Sequence, residues 1–396
     1  MPRTDGGSVA MGPLNGVRVI ELGGIGPAPF GCMMLADAGA EVVRVDRPLS
    51  AAQRAAIDDG GRSQADPRRY VPHRGRRSIG LDLKSAADRD VLLRLVERAD
   101  VVVEGFRPGV VERLGIGPAE CLSRNPRIVY GRMTGWGQTG PLASTAGHDI
   151  NYIAVAGVLD NFRRTGERPL PPLNTVADMG GGGMMLAFGI AAALLHALRT
   201  GQGQVIDAAM VDGAAIQMAT ILGSRAQGRW PGEPGSNFSD TGAPSYEVYR
   251  CADGKFVAVG AIEGPFWAEL LRILELPIDL PSREDPANWP EGKRKLADAF
   301  LQRTRDEWAA RFDGTDACVS PVLSIDEAPE HPHAIARSSF VTIGGVVQPA
   351  PAPRFSKTQA GLPSVPPAPG ENTTEILQSW GFGDDEIVAA LRDRPL

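Results

Sequence analysis

Val17-Arg-Val-Ile-Glu-Leu22 and Glu41-Val-Val-Arg-Val-Asp46, joined through a Gly/Pro loop, decide the architecture of this chain. Both are short runs rich in valine, the composition of strands buried on two faces. Between them the chain reads as a helix through Ala36, stopped at Gly39. The alternation continues outward. Leu92, Leu95 and Val96 fall at helical spacing within Lys84 to Ala99, Val101-Val-Val103 returns to strand, and Ile128-Val-Tyr130 is a further short strand. Strands alternating with helices imply a parallel sheet covered on both faces. The expected fold class is therefore α/β, with a Rossmann-like large domain.

Past about Gln227 the composition shifts. Glycine, proline and serine thicken from Trp230 to Pro244 and mark a linker. Beyond it, Tyr246 to Cys251 and Lys255 to Val259 flank Asp253-Gly254, a hairpin signal. Helical stretches follow around Phe266 to Leu274 and Lys293 to Phe312. Residues 1–227 are read as the large domain and 228–330 as a smaller α+β domain. Later, Pro349 to Pro353 and Pro363 to Pro369 form an extended stretch that cannot pair as a central strand. Asn372-Thr-Thr-Glu375 then has the form of a capping box opening a last helix.

With 396 residues, 43% of them hydrophobic and 22% charged, the chain is long enough for two or three domains and a sizeable core. The net charge of −6 argues against a nucleic-acid partner, which calls for a basic balance. Cys32, Cys121, Cys251 and Cys318 are scattered without paired spacing, so neither a disulfide framework nor a zinc site is expected. Met1-Pro-Arg-Thr-Asp-Gly-Gly has no apolar signal core and reads as a frayed tail. The longest apolar run, Met184 to Leu195, is too short for a membrane span. A cytoplasmic protein without a membrane partner is the expectation.

Two residues stand out for chemistry. His148 lies in Gly147-His-Asp-Ile-Asn-Tyr152, at the start of a helical pattern. There the dipole favours a neutral imidazole, and free N–H groups can meet a developing oxyanion. Asp178 stands just before Gly180-Gly-Gly-Gly183 and a long apolar helix, where an aspartate is a natural N-cap. Glycine costs about 0.8–1 kcal/mol per helical residue relative to alanine. Four in a row therefore point to something that approaches the backbone closely, such as a substrate. A histidine and a carboxylate at the edges of two turns can take a carbon-bound proton from one face and return it on the other. His73, His196, His331 and His333 lack comparable surroundings. Arg47, and Arg107 in Glu104-Gly-Phe-Arg-Pro-Gly109, end their strands on the side where open α/β sheets bind ligands. Gly24-Ile-Gly26 with Asp46 resembles a dinucleotide fingerprint. Pro29, however, takes the place of the third glycine, and Pro27 removes a donor needed near a pyrophosphate. A nicotinamide oxidoreductase is the outside reading.

Ala146-Gly-His-Asp-Ile-Asn-Tyr-Ile-Ala and Val176-Ala-Asp-Met-Gly-Gly-Gly-Gly resemble the family III CoA-transferase superfamily. The histidine makes them similar to its racemase branch, the α-methylacyl-CoA racemases, from about Leu14 to about Trp380. The resemblance implies an acyl-CoA substrate whose α-carbon is inverted without a cofactor, CoA entering as part of the thioester. His148 and Asp178 would be the two bases. Glu263, in Val259-Gly-Ala-Ile-Glu263, would pair with the histidine, although Gly264 stands where a proline is expected. The N–H of Asp149 would bind the enolate oxygen. Arg47, Leu81, Asp82, Leu83, Lys84, Gly105, Phe106, Arg107 and Arg113 would hold the CoA moiety together with Gly147, Ile150, Asn151 and Tyr152.

Arg68, Arg69, Arg74, Arg76 and Arg77 form a basic run with Lys84 that suits the CoA phosphates. Met179, Met184, Met185 and Met210 would offer an adaptable acyl surface. The family pattern also implies an interlocked homodimer with composite sites, in which Glu263 serves His148 of the other chain. Residues 331–396 would return to the large domain, and the loop from Leu49 to Tyr70 is about a dozen residues longer than the racemase pattern. Two alternatives share this fold: a CoA-transferase with Asp178 as nucleophile, and a catalytically silent CoA-binding protein.

Overall fold

Six parallel strands form one sheet. They are β1 (Arg18–Leu22), β2 (Glu41–Asp46), β3 (Arg76–Gly80), β4 (Val101–Glu104), β5 (Val129–Thr134) and β6 (Gln204–Ala209), in the order β3-β2-β1-β4-β5-β6. A computed structural model describes residues 12–50, 53, 66–277, 283–359 and 361–391. The reading of the first seven residues as a tail lies outside the described residues, as does most of the loop from Leu49 to Tyr70.

In the centre of the sheet Val19, Ile20, Val43, Val101 and Val103 are essentially inaccessible, which is why these strands carry near-continuous apolar runs. Strand order reverses between β1 and β4. In open α/β sheets this switch point opens a crevice beyond the strand ends.

The chain divides into two compact units: Met1–Ala156 with Leu173–Gln217 and Ser338–Leu396, and Gly157–Pro172 with Met218–Arg337. The first holds the parallel sheet. Its core gathers Leu92, Leu95 and Ile128 with Ile376, Leu377 and Trp380 from the end of the chain. The C-terminal segment also covers the β3 edge, where the N–H groups of Ser78 and Gly80 donate to Asn372 Oδ1 and Thr373 Oγ1. Asn372 therefore does not cap the helix Thr373–Ser379 with its side chain, and that helix is followed by another, Asp384–Leu391.

The second unit is built on an antiparallel sheet of β7 (Tyr246–Arg250), β8 (Phe256–Gly260) and β9 (Val319–Pro321). Gly254 takes φ 79° in the first turn, a conformation that glycine adopts without strain. Helices Gly264–Ile273, Trp289–Phe300 and Arg305–Phe312 cover the sheet, with Phe300 stacked on Tyr249 at 5.2 Å. The expected helix from Lys293 to Phe312 is two helices, because Thr304 and Glu307 form a capping box that starts the second. Residues 157–172 belong here as well: Arg164 donates to Glu247 at 2.8 Å, and Lys293 lies 3.3 Å from the same carboxylate.

The glycine-flanked segment at Asp178 differs from the sequence expectation. The helix starts at Thr175, not after Asp178. It is π-helical over Thr175–Met184 and α-helical over Met185–Thr200. Asp178 lies inside it and is not its N-cap. The combined helix, Thr175–Thr200, is long and apolar enough to cross a membrane by length and composition. Half of its apolar window is buried in the fold, and it packs on β5, β6 and the helix Pro27–Asp37.

Candidate active site

Loops after β1, β4 and β5 meet at the switch point and wall a cavity of about 380 Å³. The first, with the start of the helix Pro27–Asp37, supplies Ile25 to Ala28, the second Gly105 to Pro108, and the third, with the end of β5, Met133 to Trp136. His148, Tyr152 and Asp178 also line it, with Gly147 and Met210 beside them. Next to it, and sharing Phe106, is a second cavity of about 550 Å³ lined by Asp46, Arg47, Leu81 to Lys84 and Arg113.

His148 is the N-cap of the helix Asp149–Val155 and is exposed toward the cavity. Its backbone N–H donates to Asn151 Oδ1 at 3.0 Å, and the Tyr152 hydroxyl donates to Gly147 O. These two bonds pin the segment that carries the imidazole. The Tyr152 ring needs space that only glycine leaves: a Cβ on Gly135 would fall 2.2 Å from it, and one on Gly147 2.7 Å. Trp136 packs edge-on against the same ring, with centroids 4.8 Å apart. Burial raises the proton affinity of the Tyr152 phenol; the Asp178 charge adds to this, and Arg107 opposes it.

Asp178 is half-buried on the opposite helix. Burial raises its carboxyl above the usual carboxylate range. A hydrogen bond from Asn174 Nδ2 at 3.3 Å works against the rise, the Asp149 charge adds to it, and His148 opposes it. A carboxyl held up in this way is suited to give and take a proton.

Three of the four glycines next to Asp178 serve helix packing rather than substrate approach. A Cβ on Gly183 would meet Phe30 Cδ1 at 2.6 Å, one on Gly182 Met210 Cγ at 2.9 Å, and one on Gly181 the backbone of Ala214 at 2.7 Å. Neighbouring helices, Pro27–Asp37 and Met210–Gln217, take the space that the sequence reading gave to a ligand. Gln217 Nε2 donates to Val176 O at 3.1 Å, satisfying a carbonyl of the π-helical turn.

The sequence-predicted residues fall into distinct places. Gly105, Phe106, Arg107, Gly147 and Tyr152 line the first cavity with His148 and Asp178. Arg47, Leu81, Asp82, Leu83, Lys84 and Arg113 line the second. Ile150 is exposed and Asn151 serves as the pin on His148, neither lining a cavity. Asp149 is buried, with its carboxylate turned toward the Asp178 helix. Glu263 is exposed in the second unit, as N-cap of Gly264–Ile273.

Within the basic run, Arg74 and Arg76 are fully buried on Asp37 and Glu21, and Arg77 reaches Glu41 and Glu375. These three arginines hold the fold together and do not form a phosphate surface. Of the four methionines proposed for the acyl surface, Met210 lines the first cavity, whereas Met184 lines a separate apolar groove beside Phe188.

Met133, Trp136, Asn174 and the pair Glu104–Arg132 escaped the sequence reading. Glu104, at the buried end of β4, accepts from Phe106 N at 2.7 Å and from Arg132 Nε at 2.9 Å, and Arg132 Nη1 reaches Glu112 at 2.8 Å. That network fixes the loop between the two cavities. The motif Glu104-Gly-Phe-Arg was visible; its buried partner on β5 was not. Among the described residues no group of three or more His, Cys, Asp or Glu is placed to hold a metal ion.

A model of CoA-transferase family III matches residues 14–373. The chain is 47% identical over 385 residues to alpha-methylacyl-CoA racemase of Mus musculus, covering 96% of this chain and 97% of the mouse protein. It is 46% identical over the same length to the Homo sapiens racemase, with the same coverage. A solved CaiB/BaiF family protein from Brucella suis superposes with a TM-score of 0.78 at 26% identity, over 93% of this chain and 100% of the other. The parallel sheet, the cavity at its switch point and this likeness over nearly the whole length agree: the chain belongs to CoA-transferase family III.

Proposed function

We propose that this protein is a cofactor-independent 2-methylacyl-CoA racemase. The observation that carries the reading is that His148 and Asp178, two bases of different chemistry, line one cavity at the switch point. Identity to the mouse and human racemases supports it.

The α-proton of a thioester is weakly acidic, so the site must stabilise the enolate as well as remove the proton. One base takes the C2 proton, and the electron pair moves onto the carbonyl oxygen. The helix N-terminus at Asp149 offers backbone N–H groups for that charge. The other base then delivers a proton to the opposite face, and the carbonyl re-forms. His148 starts the reaction for one enantiomer and Asp178 for the other. Arg47, Lys84 and Arg113 around the second cavity supply positive charge for the CoA phosphates.

We place Glu263 of a second chain against His148, where it would orient the ring and stabilise its protonated form. An interlocked homodimer would also cover Phe188, Leu195 and Leu198, apolar residues exposed on the outer face of Met185–Thr200.

The test is acceptor-free exchange. In heavy water the purified protein is expected to place deuterium at C2 of a 2-methylacyl-CoA while its chirality is lost, with no free carboxylic acid present. No label at C2, together with transfer of CoA to an added free carboxylic acid, would transfer the assignment to a CoA-transferase with Asp178 as nucleophile.

A further inference from the structure

The helix that carries Asp178 is capped from outside. Its first N–H groups have no partner within the helix. The local N-cap, Asn174, turns its amide onto the Asp178 carboxylate and makes no side-chain cap. The cap comes from the neighbouring helix: Asp149 Oδ2 accepts from Ala177 N at 2.7 Å and from Asp178 N at 2.8 Å. Asp149 is only 4% exposed, and its Oδ1 has no protein partner. Burying a carboxylate is costly unless charge or hydrogen bonds compensate it. Two N–H groups at a helix N-terminus provide both. The same residue directly follows His148, so one side chain joins the backbones of both candidate bases.

We propose that the Asp149 carboxylate is a positioning residue for proton transfer, tethering Asp178 to the helix start that carries His148. The inference rests on the racemase reading above. The tether fixes the second base relative to the first, and its charge works on the same carboxyl, adding to the rise that burial imposes. Among the described residues, the other titratable groups that interact with Asp178 are His148, the N-cap of the helix Asp149–Val155, and Tyr152 within it, and Arg107 from the loop after β4 lines the same cavity. A carboxylate that merely held the fold together would act on both bases alike. A tether on Asp178 acts on one.

The test follows deuterium exchange at C2 from the separate enantiomers of a 2-methylacyl-CoA, using full-length protein. In Asp149→Ala, exchange from the enantiomer that Asp178 deprotonates should fall on the order of 10- to 100-fold, the cost of a base displaced by about 1 Å. Exchange from the enantiomer served by His148 should stay within about threefold of wild type, because that base keeps its own pins on Asn151 and Tyr152. Asp149→Asn keeps an acceptor oxygen without the charge, so it should retain most of the rate. Its acid limb for the Asp178 face should shift to lower pH, since removing a neighbouring negative charge lowers the proton affinity of Asp178. A parallel loss for both enantiomers, or no loss for either, in the Ala variant overturns the proposal. If that variant does not fold, an unshifted acid limb in the Asn variant overturns it instead. Absence of acceptor-free exchange in wild type is a different failure: it removes the racemase reading, and this inference with it.

Discussion

Asp178 shows how much of a site lies in its surroundings. Its carboxyl is pushed up by burial and by Asp149, and held back by Asn174 and His148. His148 was legible in the sequence because Gly-His-Asp before a helical pattern states both the residue and its place at a helix start. The partners of Asp178 were not. Asn174 and Asp149 act through a side-chain contact and a cap between helices, neither of which sequence spacing encodes. The arginines show the same limit from the other side. Arg74 and Arg76 look like a phosphate surface in a linear run. Asp37 and Glu21, 37 and 55 positions away, claim them as buried ion pairs. Breaking one member of such a pair leaves an uncompensated buried charge, which typically costs about 3–5 kcal/mol. Their presence is accounted for by the fold alone.

At the scale of elements, the strands read well because parallel strands buried on both faces must be apolar throughout, as Val101 to Val103 are. The two edge strands were missed: β6 has Gln204 and Val205 exposed and lacks that signature, and β3 opens on Arg76 and Arg77, which read as part of a basic run. The glycine run was seen but given the wrong occupant. Two helices cross at backbone contact there, and the tightest point is Gly213, where a Cβ would stand 1.8 Å from Gly181 O. Gly213→Ala should therefore destabilise the protein by about 1–3 kcal/mol or more, as forced overpacking does. Gly223, in the helix Ala219–Ala226, has open space on its side-chain face, and a Cβ there would meet nothing within 4 Å. Gly223→Ala should stabilise by roughly 0.5–1 kcal/mol through helix propensity. Urea unfolding of both variants checks the contrast. Equal effects would mean that the crossing relaxes without cost.

At the scale of the whole molecule, the sequence located a change of character near Gln227 but not that the chain enters the second unit twice. Residues 157–172 carry no strand or long helix to announce their allegiance; it is set by contacts such as that of Arg164 with Glu247. His148 and Glu263 fall in different units, and the proposed site pairs them across two chains. Refolding a mixture of His148→Ala and Glu263→Gln chains should then restore racemisation at one of the two sites in each heterodimer. Activity in the mixture no greater than the sum of the parents, or a fully active monomer in sedimentation, would exclude the composite site.

Whether His148 and Asp178 act on opposite faces of one enolate is tested most directly by α-hydrogen exchange, measured separately from each enantiomer in the two single-base variants. With one base removed, inversion stops, but the remaining base can still take a proton and return one from solvent on its own face. Asp178→Asn should keep exchange from one enantiomer, and His148→Ala should keep it from the other. Exchange with no dependence on enantiomer in either variant, together with an acyl adduct on wild-type Asp178 that hydroxylamine releases, would contradict the two-base mechanism.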